Sequence, residues 1–280
     1  MKYSAYVPCY NAAATVRRAV ESVLEQTMRP DEVLLVDDGS TDGSLEAVRG
    51  LDVRIIAQPR NLGRGEARAR AMREAQHEHV LCCDATNTLE PAFVEKARIW
   101  LDDDRVAAVF GRITQPPAGS LAERWRGRHL FKVDAAQESR RRTSLATWGA
   151  LVRASAVERV GGYDRRLRHT EDAELGVRLL AADFDVVYDP AAMVTSIAPN
   201  TVAQVLERYW RWYAGATPSA SWREYGKSIA YSIKCMAKDD LRAGDPTAVL
   251  VSLVAPHYQA WKTWRHGAAH DTSAPRAMPR

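Results

Sequence analysis

The stretch that decides the fold is Val33-Leu34-Leu35-Val36-Asp37-Asp38-Gly39-Ser40-Thr41-Asp42. Four apolar residues end in two adjacent carboxylates, and a glycine and two small hydroxyl residues follow them. A short apolar run that stops at turn-forming residues is typical of a buried strand. Strands buried on both faces belong to parallel α/β sheets, whose ligands bind beyond the carboxyl ends of the strands. The pattern therefore predicts that Asp37 and Asp38 lie at a ligand-binding edge of a sheet.

Composition limits the class of ligand. The chain has 280 residues, 46% of them apolar, and a net charge of +4 from 39 Lys+Arg and 35 Asp+Glu. Nucleic-acid binding usually needs a stronger and more clustered basic excess, so we expect no nucleic-acid partner. A small phosphorylated ligand and an anionic membrane surface both fit this charge. Two acids at a strand tip also need hydrogen-bond donors or a metal ion, and a nucleotide base or ribose offers such donors.

The cysteines and the apolar runs indicate the compartment. The four cysteines show no zinc-binding spacing and are expected to be reduced thiols of a cytosolic protein. The N-terminus shows no signal-peptide pattern, and no apolar run reaches the length of a membrane span. The stretch Val249–Arg265 mixes apolar residues with Trp, Lys and Arg. It fits a peripheral contact at the inner face of a membrane or packing against the core, and both alternatives stay open.

The order of the predicted elements indicates the fold class. Up to residue 110, strand patterns at 3–7, 33–36, 53–57, 79–83 and 106–110 alternate with helical patterns. Such alternation predicts an α/β, Rossmann-like fold with a mostly parallel sheet flanked by helices. From residue 201 the pattern is mainly helical. We therefore predict an α/β domain over residues 1–200, a helical C-terminal extension over 201–265 and a disordered tail over 266–280.

Four motifs in order and spacing point to one family. They are Val7-Pro8-Cys9-Tyr10-Asn11, the Asp37-Asp38-Gly39-Ser40 tip, Asp84-Ala85-Thr86-Asn87-Thr88-Leu89-Glu90-Pro91, and Gly161-Gly162-Tyr163-Asp164 followed by Glu171-Asp172. The set resembles the family 2 glycosyltransferases with a GT-A fold over roughly residues 3–200. The resemblance implies a nucleotide-diphosphate sugar donor, a hydroxyl acceptor and transfer with inversion at the anomeric carbon.

The resemblance also implies where the donor binds. Asp38 accepts a hydrogen bond from the base, Asp37 shapes the same loop, and Tyr10 offers an aromatic face. Asp84 stands at the first acid of the family's Asp-x-Asp motif and faces the ribose or a phosphate. The full set implied for nucleotide-sugar binding is Pro8, Tyr10, Asn11, Asp37, Asp38, Arg64, Arg68 and Asp84.

The catalytic base implied by the resemblance is Asp172. A sugar hydroxyl is a poor nucleophile, and a positioned carboxylate that takes its proton contributes about 10²–10⁴-fold. Acids at the start of a helix also serve as simple dipole partners, and that reading competes with the catalytic one. Glu171 and Trp148 are expected on the acceptor side.

The metal site departs from the family pattern. The second acid of Asp-x-Asp is Thr86 here, and Ser196 follows Thr195 where the family often has a histidine ligand. The resemblance implies Mn²⁺ or Mg²⁺ on Asp84, but Thr86 and Ser196 offer only hydroxyls, which are weak ligands for a hard cation. Two hypotheses follow. The chain is either a transferase whose arginines neutralise the diphosphate, or a catalytically silent relative that binds a partner enzyme or a glycan.

A dinucleotide-dependent oxidoreductase is a third class with a similar alternation of strands and helices. It requires a Gly-x-Gly-x-x-Gly turn directly after the first strand. Here Pro8-Cys9-Tyr10-Asn11 follows that strand, and Gly63-Arg64-Gly65 lacks the third glycine. The sequence therefore argues against this class.

Overall fold

The computed structural model describes residues 1–117, 119–213 and 221–267, which divide into two compact units. The first unit comprises Met1–Pro116 and Ala136–Ala198, and the second comprises Pro117–Ala135 and the residues from Pro199 onward. The second unit thus includes a stretch that precedes residue 200. The predicted domain limits stay a prediction, and most of the predicted tail, from residue 268, lies outside the described residues.

The described residues of the first unit form a nine-stranded sheet in the order β3-β2-β1-β4-β8-β6-β9-β5, with β7 paired to β9. The strands are β1 (Tyr3–Cys9), β2 (Glu32–Asp37), β3 (Arg54–Ala57), β4 (His79–Cys83), β5 (Asn87–Leu89), β6 (Val106–Thr114), β7 (Arg140–Arg141), β8 (Gly149–Arg153) and β9 (Asp185–Ser196). Strands β1 to β4 are mutually parallel, and β6 is parallel to β9. The predicted parallel sheet is confirmed, with β8, β5 and β7 as antiparallel members.

The helices of the first unit are α1 (Val16–Leu24), α2 (Ser44–Ala47), α3 (Arg64–Glu74), α4 (Phe93–Arg98), α6 (Ala154–Arg159) and α7 (Glu171–Ala181), with a 3₁₀ helix at Ile99–Asp102. Those of the second unit are α5 (Leu121–Arg126), α8 (Val202–Tyr213), α9 (Trp222–Tyr231), α10 (Lys238–Arg242) and α11 (Pro246–Gly267), with π-helical segments at Gly127–Phe131 and Ser232–Ala237. None of the described helices is long and apolar enough to cross a membrane.

Strand β2 shows why the first unit folds around its sheet. Val33 and Leu35 pack into the apolar cluster on one face, while Leu34 and Val36 pack into the cluster on the other. Burying a Val or Leu side chain fully contributes roughly 1.5–3 kcal/mol, so a strand buried on both faces is held firmly in place. The carboxylates that follow Val36 are thereby delivered to the edge of the sheet.

The sequence pattern predicts that a short strand at 185–188 ends at Asp189-Pro190 and that Pro256 interrupts the stretch Val249–Arg265, and both predictions are wrong. The strand predicted to end at Asp189-Pro190 continues as β9 to Ser196. The pairing of β6 with β9 moves from Gly111↔Asp189 to Arg112↔Met193, so Pro190 lies in an irregularity where no ladder hydrogen bond is needed. Helix α11 likewise runs through Pro256, which the sequence reading took as an interruption.

Candidate functional site

The candidate site lies where β1, β2 and β4 end. Cys9 and Asp37 are paired at the ends of β1 and β2, and Asp84 follows the last residue of β4. Strand β8 is antiparallel to β4 and pairs Gly149 with Cys83. Thr147 and Trp148, which precede β8, therefore lie at the same edge as Asp84.

Asp37 and Asp38 both shape the loops at this edge. The Asp37 carboxylate accepts hydrogen bonds from the Ser40 N–H at 3.1 and 3.3 Å. Asp38 accepts from the N–H groups of Leu62 (2.7 Å) and Gly63 (2.9 Å), so its carboxylate holds the loop before α3. Burial raises the pKa of Asp38 against the lowering effect of these two donors. The predicted contact of Asp38 with a base stays a prediction, and each oxygen retains a second lone pair for it.

Gly39 is required by the close approach of two loops. It has a φ of +74°, and a Cβ there would lie 2.6 Å from the carbonyl carbon of Arg60. A larger residue would push the 58–63 loop away from the strand tip. The glycine after the paired acids thus allows the loop to close over them.

The loop after β1 presents an aromatic ring. Tyr10 is 49% exposed, while Asn11 adopts a φ of +48° and is tied to the neighbouring loop. The Asn11 N–H donates to Ser40 Oγ (2.9 Å), and the Thr41 N–H donates to Asn11 Oδ1 (2.8 Å). Together with the partly buried Pro8, this segment offers a supported surface on which a planar base can stack.

Arg68 is the buried centre of the site. Its guanidinium donates from Nε to Glu171 Oε1 and from Nη2 to Asp84 Oδ1, both at 2.8 Å. Nη1 lies 2.7 Å from Cys82 Sγ, and the side chain is only 1% exposed. Arg68 therefore lies beside Asp84 and Glu171 but is enclosed by protein, and its contact with the nucleotide stays a prediction.

Asp172 is held at the start of α7 by Thr147. Its Oδ2 accepts from Thr147 Oγ1 (3.1 Å) and from the Thr147 N–H (3.2 Å), and its Oδ1 accepts from the Ala173 N–H (2.8 Å). Desolvation raises the pKa of Asp172, and the adjacent Glu171 carboxylate raises it further. Because Asp172 is partly exposed while Glu171 is buried, the pair consists of one accessible and one enclosed acid.

Glu171 has one engaged and one unsatisfied oxygen. Oε1 pairs with Arg68, whereas Oε2 is buried without a hydrogen-bond partner. Asp84 is more open, since its side chain is 22% exposed. The structure thus brings Asp84, Glu171 and Asp172 together around Arg68 and Thr147, while Asp38 lies two strands away along the sheet.

Trp148 is anchored from two sides. Its indole N–H donates to the carbonyl of Gly111 (2.8 Å), and Phe110 meets its ring edge-on with centroids 5.8 Å apart. Its own carbonyl accepts from Asn87 Nδ2 at 3.0 Å. The ring is partly exposed, so it is a rigid wall next to Thr147.

Exposed arginines surround the loop that Asp38 holds. Arg64 is the first residue of α3, and Arg60 and Arg168 are also exposed. Arg168 packs against Gly63, where an added Cβ would lie 3.1 Å from its Cγ, and its charge lowers the pKa of Asp38. Sequence reading identified Arg64 but missed Arg168 and Thr147. The dense basic run just before Glu171 was the available signal for Arg168, and no motif marked Thr147.

The side chains at the expected metal position do not fit a divalent cation. Of the three side chains implied as ligands, Asp84 alone is a carboxylate and is already paired with Arg68, while Thr86 and Ser196 contribute hydroxyls. Ser196 Oγ is buried and without a partner. Across the described ranges, no group of three or more His, Cys, Asp and Glu side chains could hold a metal ion. A hard cation prefers several carboxylates, so this set is a poor one.

A parallel sheet edge with acids at two strand tips, an aromatic loop beside them and a desolvated acid at a helix start is the arrangement that the sequence resemblance implies for a GT-A domain. The chain belongs to glycosyl transferase family 2, whose family model matches residues 4–161.

Curated relatives agree with this assignment. A poly-β-1,6-N-acetyl-D-glucosamine synthase of Staphylococcus epidermidis is 25% identical over 226 residues, which cover 74% of this chain and 52% of that protein. An N-acetylglucosaminyltransferase of Mesorhizobium japonicum is 27% identical over 231 residues, with 74% and 54% covered. The chain thus spans about half the length of the curated relatives it matches.

Solved structures share the fold. A mannosyltransferase from Pyrobaculum calidifontis, in complex with GDP-Man and Mn²⁺, superposes with a TM-score of 0.58 at 17% identity, covering 98% of this chain and 77% of that one. Staphylococcus aureus TarS in complex with UDP-GlcNAc gives 0.54 at 15% identity, covering 96% and 91%. The predicted GT-A fold class is confirmed.

Proposed function

We propose that this protein is an inverting glycosyltransferase that moves a sugar from a nucleotide-diphosphate sugar to an acceptor hydroxyl. Its product would be a polysaccharide, a glycolipid or a glycoprotein. One observation carries the proposal. Asp172, partly exposed and desolvated, accepts a hydrogen bond from Thr147 and directly follows Glu171, which Arg68 connects to Asp84 at one edge of the sheet.

Asp172 acts as the general base in this proposal. Its raised pKa makes it a better proton acceptor than an ordinary aspartate, because base strength rises as the pKa approaches the working pH. Thr147 and the Ala173 N–H fix the direction of the carboxylate. The acceptor oxygen attacks the anomeric carbon while its proton passes to Asp172, the bond to the diphosphate breaks, and the single displacement inverts the configuration.

Arg68 is a positioning residue in this scheme. It neutralises Glu171 and orients Asp84, whose open side faces the donor ribose or a phosphate. Trp148, fixed by its bond to Gly111, and the buried Glu171 form the acceptor side. Pro8, Tyr10, Asn11 and the Asp37-Asp38 loops hold the base in the proposed complex.

Donor binding is proposed to need no divalent metal. The leaving diphosphate requires positive charge, and Arg64 and Arg168 supply it beside the loop that Asp38 holds. A nucleotide-linked N-acetylglucosamine is the first donor to test, because the relatives reported above are named for that sugar. Addition of EDTA should leave the dissociation constant for UDP within about twofold.

The catalytic assignment is tested by Asp172→Asn. The amide keeps the shape but cannot accept the proton, so transfer should fall by about 10²–10⁴-fold. Nucleotide affinity, measured by calorimetry, should remain unchanged. Glu174→Gln is the matched control, since Glu174 is an acid of the same helix turn that pairs with Arg178. Normal turnover by Asp172→Asn would remove Asp172 as the base.

The poor metal donor set also favours a second candidate, a catalytically silent relative that binds a partner enzyme or a glycan. Calorimetric titration with UDP and GDP, with and without Mn²⁺, separates the two. Absence of binding under every condition would support the silent protein. Binding that is insensitive to metal would support the transferase.

A further inference from the structure

Helix α11 of the second unit is apolar on two sides. Its inner side buries Ala248, Val251 and Ala255. Its outer side carries a row of exposed residues at helical spacing, which we call the outer stripe: Leu250, Leu253, Val254, His257, Trp261 and Trp264. Leu250 is 66% exposed and Trp261 is 49% exposed. A helix needs only one buried apolar face for folding. The second, exposed apolar face of α11 therefore indicates a surface that binds a partner outside the fold.

Helix α9 extends this surface instead of covering it. Tyr225 is hydrogen-bonded to His257 Nδ1 (2.6 Å), and the rings of Trp222 and Trp264 lie 5.0 Å apart. Ser228 Oγ donates to Gln259 Oε1. Trp222 lies near Trp264, whereas Ser232, which directly follows α9, donates to the Ser252 carbonyl, so α9 and α11 run antiparallel, side by side. No residue of α9 is buried, and Trp222 is 75% exposed. The two helices therefore present their aromatic residues together to solvent.

The charge around this surface is basic. Exposed Lys and Arg side chains on the segments from α9 to α11 are Arg223, Lys227, Lys234, Lys238, Arg242 and Arg265. Exposed acids there are Glu224 and Asp239, which pair with Lys227 and Arg242. Buried Asp240 and Asp245 are used inside the unit by Arg128 and Arg124. The exposed charge of these segments is thus a cationic excess. Two of its arginines adjoin exposed tryptophans, since Arg223 follows Trp222 and Arg265 lies over the Trp261 ring at 5.5 Å.

We propose that the outer stripe, together with Trp222, docks on the surface of an anionic lipid bilayer. A helix with apolar and aromatic residues on its outer side and Lys or Arg beside them lies in the plane of the membrane interface. Tryptophan prefers the headgroup level, and each nearby Lys or Arg adds attraction to anionic lipid. A second copy of the chain is a poorer occupant, because a twofold contact would bring the same cationic surfaces together. The proposal does not depend on the transferase activity.

Vesicle co-sedimentation of the whole chain tests this surface. The protein should bind vesicles of phosphatidylcholine mixed with phosphatidylglycerol at least about tenfold more tightly than phosphatidylcholine alone. The triple variant Leu250→Ser, Val254→Ser, Trp261→Ser should lose about tenfold or more of that affinity. The matched control is Ile55→Ser, which removes a comparably exposed apolar residue (45%) from the first unit. This variant should bind the mixed vesicles with the affinity of the wild type.

Two further measurements keep the outcome decisive. Lys234→Gln with Lys238→Gln should weaken binding to the anionic vesicles by about tenfold while leaving the helical circular dichroism unchanged. Brominated lipid should quench the tryptophan fluorescence of the wild type but not of the triple variant. The proposal is overturned if the triple variant binds vesicles like the wild type. It is equally overturned if no vesicle binds and the triple variant instead dissociates a dimer.

Discussion

Each of the two units contains a buried cluster of charged side chains, and the carboxylates of the two clusters differ in solvent access and in hydrogen bonding. In the first unit Arg68 joins Glu171 and Asp84, Asp84 opens to solvent, and one oxygen of Glu171 has no partner. In the second unit Asp240 is fully buried and both of its oxygens are engaged. His129 and Arg128 bind one oxygen, and Ser252 donates to the other at 2.5 Å.

This difference indicates that the first cluster belongs to the candidate functional site and that the second cluster is structural. The Asp240 cluster has no exit to solvent at its carboxylate, and Trp125 Nε1 closes it further by donating to Ser252 Oγ (2.8 Å). A buried carboxylate whose two oxygens are both engaged specifies packing, whereas a cluster with an unsatisfied carboxylate oxygen and an accessible acid can change partners during a reaction. We therefore expect substitutions in the second cluster to alter stability alone and those in the first to alter both stability and chemistry.

The largest effect is expected for Arg68→Met. This change leaves the buried Glu171 carboxylate without its counter-charge, so unfolding free energy should fall by about 3–5 kcal/mol. Urea unfolding measures it. Arg70→Met is the control, because Arg70 is an exposed arginine of the same helix whose solvent-exposed pair with Glu74 adds little to stability. Unchanged stability in Arg68→Met would contradict the role of Arg68 as the buried centre.

A smaller loss of unfolding free energy is expected for Asp240→Asn. The variant removes the charge that Arg128 and His129 share, but Arg128 is partly exposed and can turn toward water. The unfolding free energy should fall by roughly 2–3 kcal/mol, with the affinity for UDP unchanged. Weaker nucleotide binding in this variant would show that the second cluster contributes to more than stability.

His129 makes the stability of the second unit depend on pH. Burial lowers the pKa of His129 below 6.5, although Asp240 acts in the opposite direction. The folded protein therefore binds this proton less tightly than the unfolded chain, and stability is lost as the pH falls below about 6.5. From about pH 7 to 5 the unfolding free energy of the wild type, measured in urea, should fall more than that of His129→Gln. If the difference in unfolding free energy between the wild type and His129→Gln stays constant with pH, His129 is not the source of the pH dependence.

The smallest effect is expected for Thr147→Val. The loss of the hydroxyl donor destabilises the charged form of Asp172, so its pKa rises further. The acid limb of the pH–rate profile should move upward by less than about one pH unit. Thr147→Ser keeps the hydroxyl and should restore the profile of the wild type. An unshifted profile in Thr147→Val would mean that Asp172 does not carry the rate-determining proton.

Local patterns predicted more of the fold than of the site. The apolar runs at 3–7, 33–36 and 79–83 predicted β1, β2 and β4. The predictions failed at Pro190 and Pro256, where neighbouring elements override a local preference. The bulge between β6 and β9 accommodates Pro190, and packing within the second unit keeps α11 helical.

The sequence alone determined that acids follow buried strands and that Glu171-Asp172 begins a helix, because these features involve residues close together along the chain. Only the tertiary structure decided which acid is enclosed and which is accessible. Arg68 meets Asp84 across 16 positions and Glu171 across 103, and Asp172 meets Thr147 across 25. Burial and charge pairing depend on the side chains that folding brings together, and a pattern read along the chain does not contain those distances.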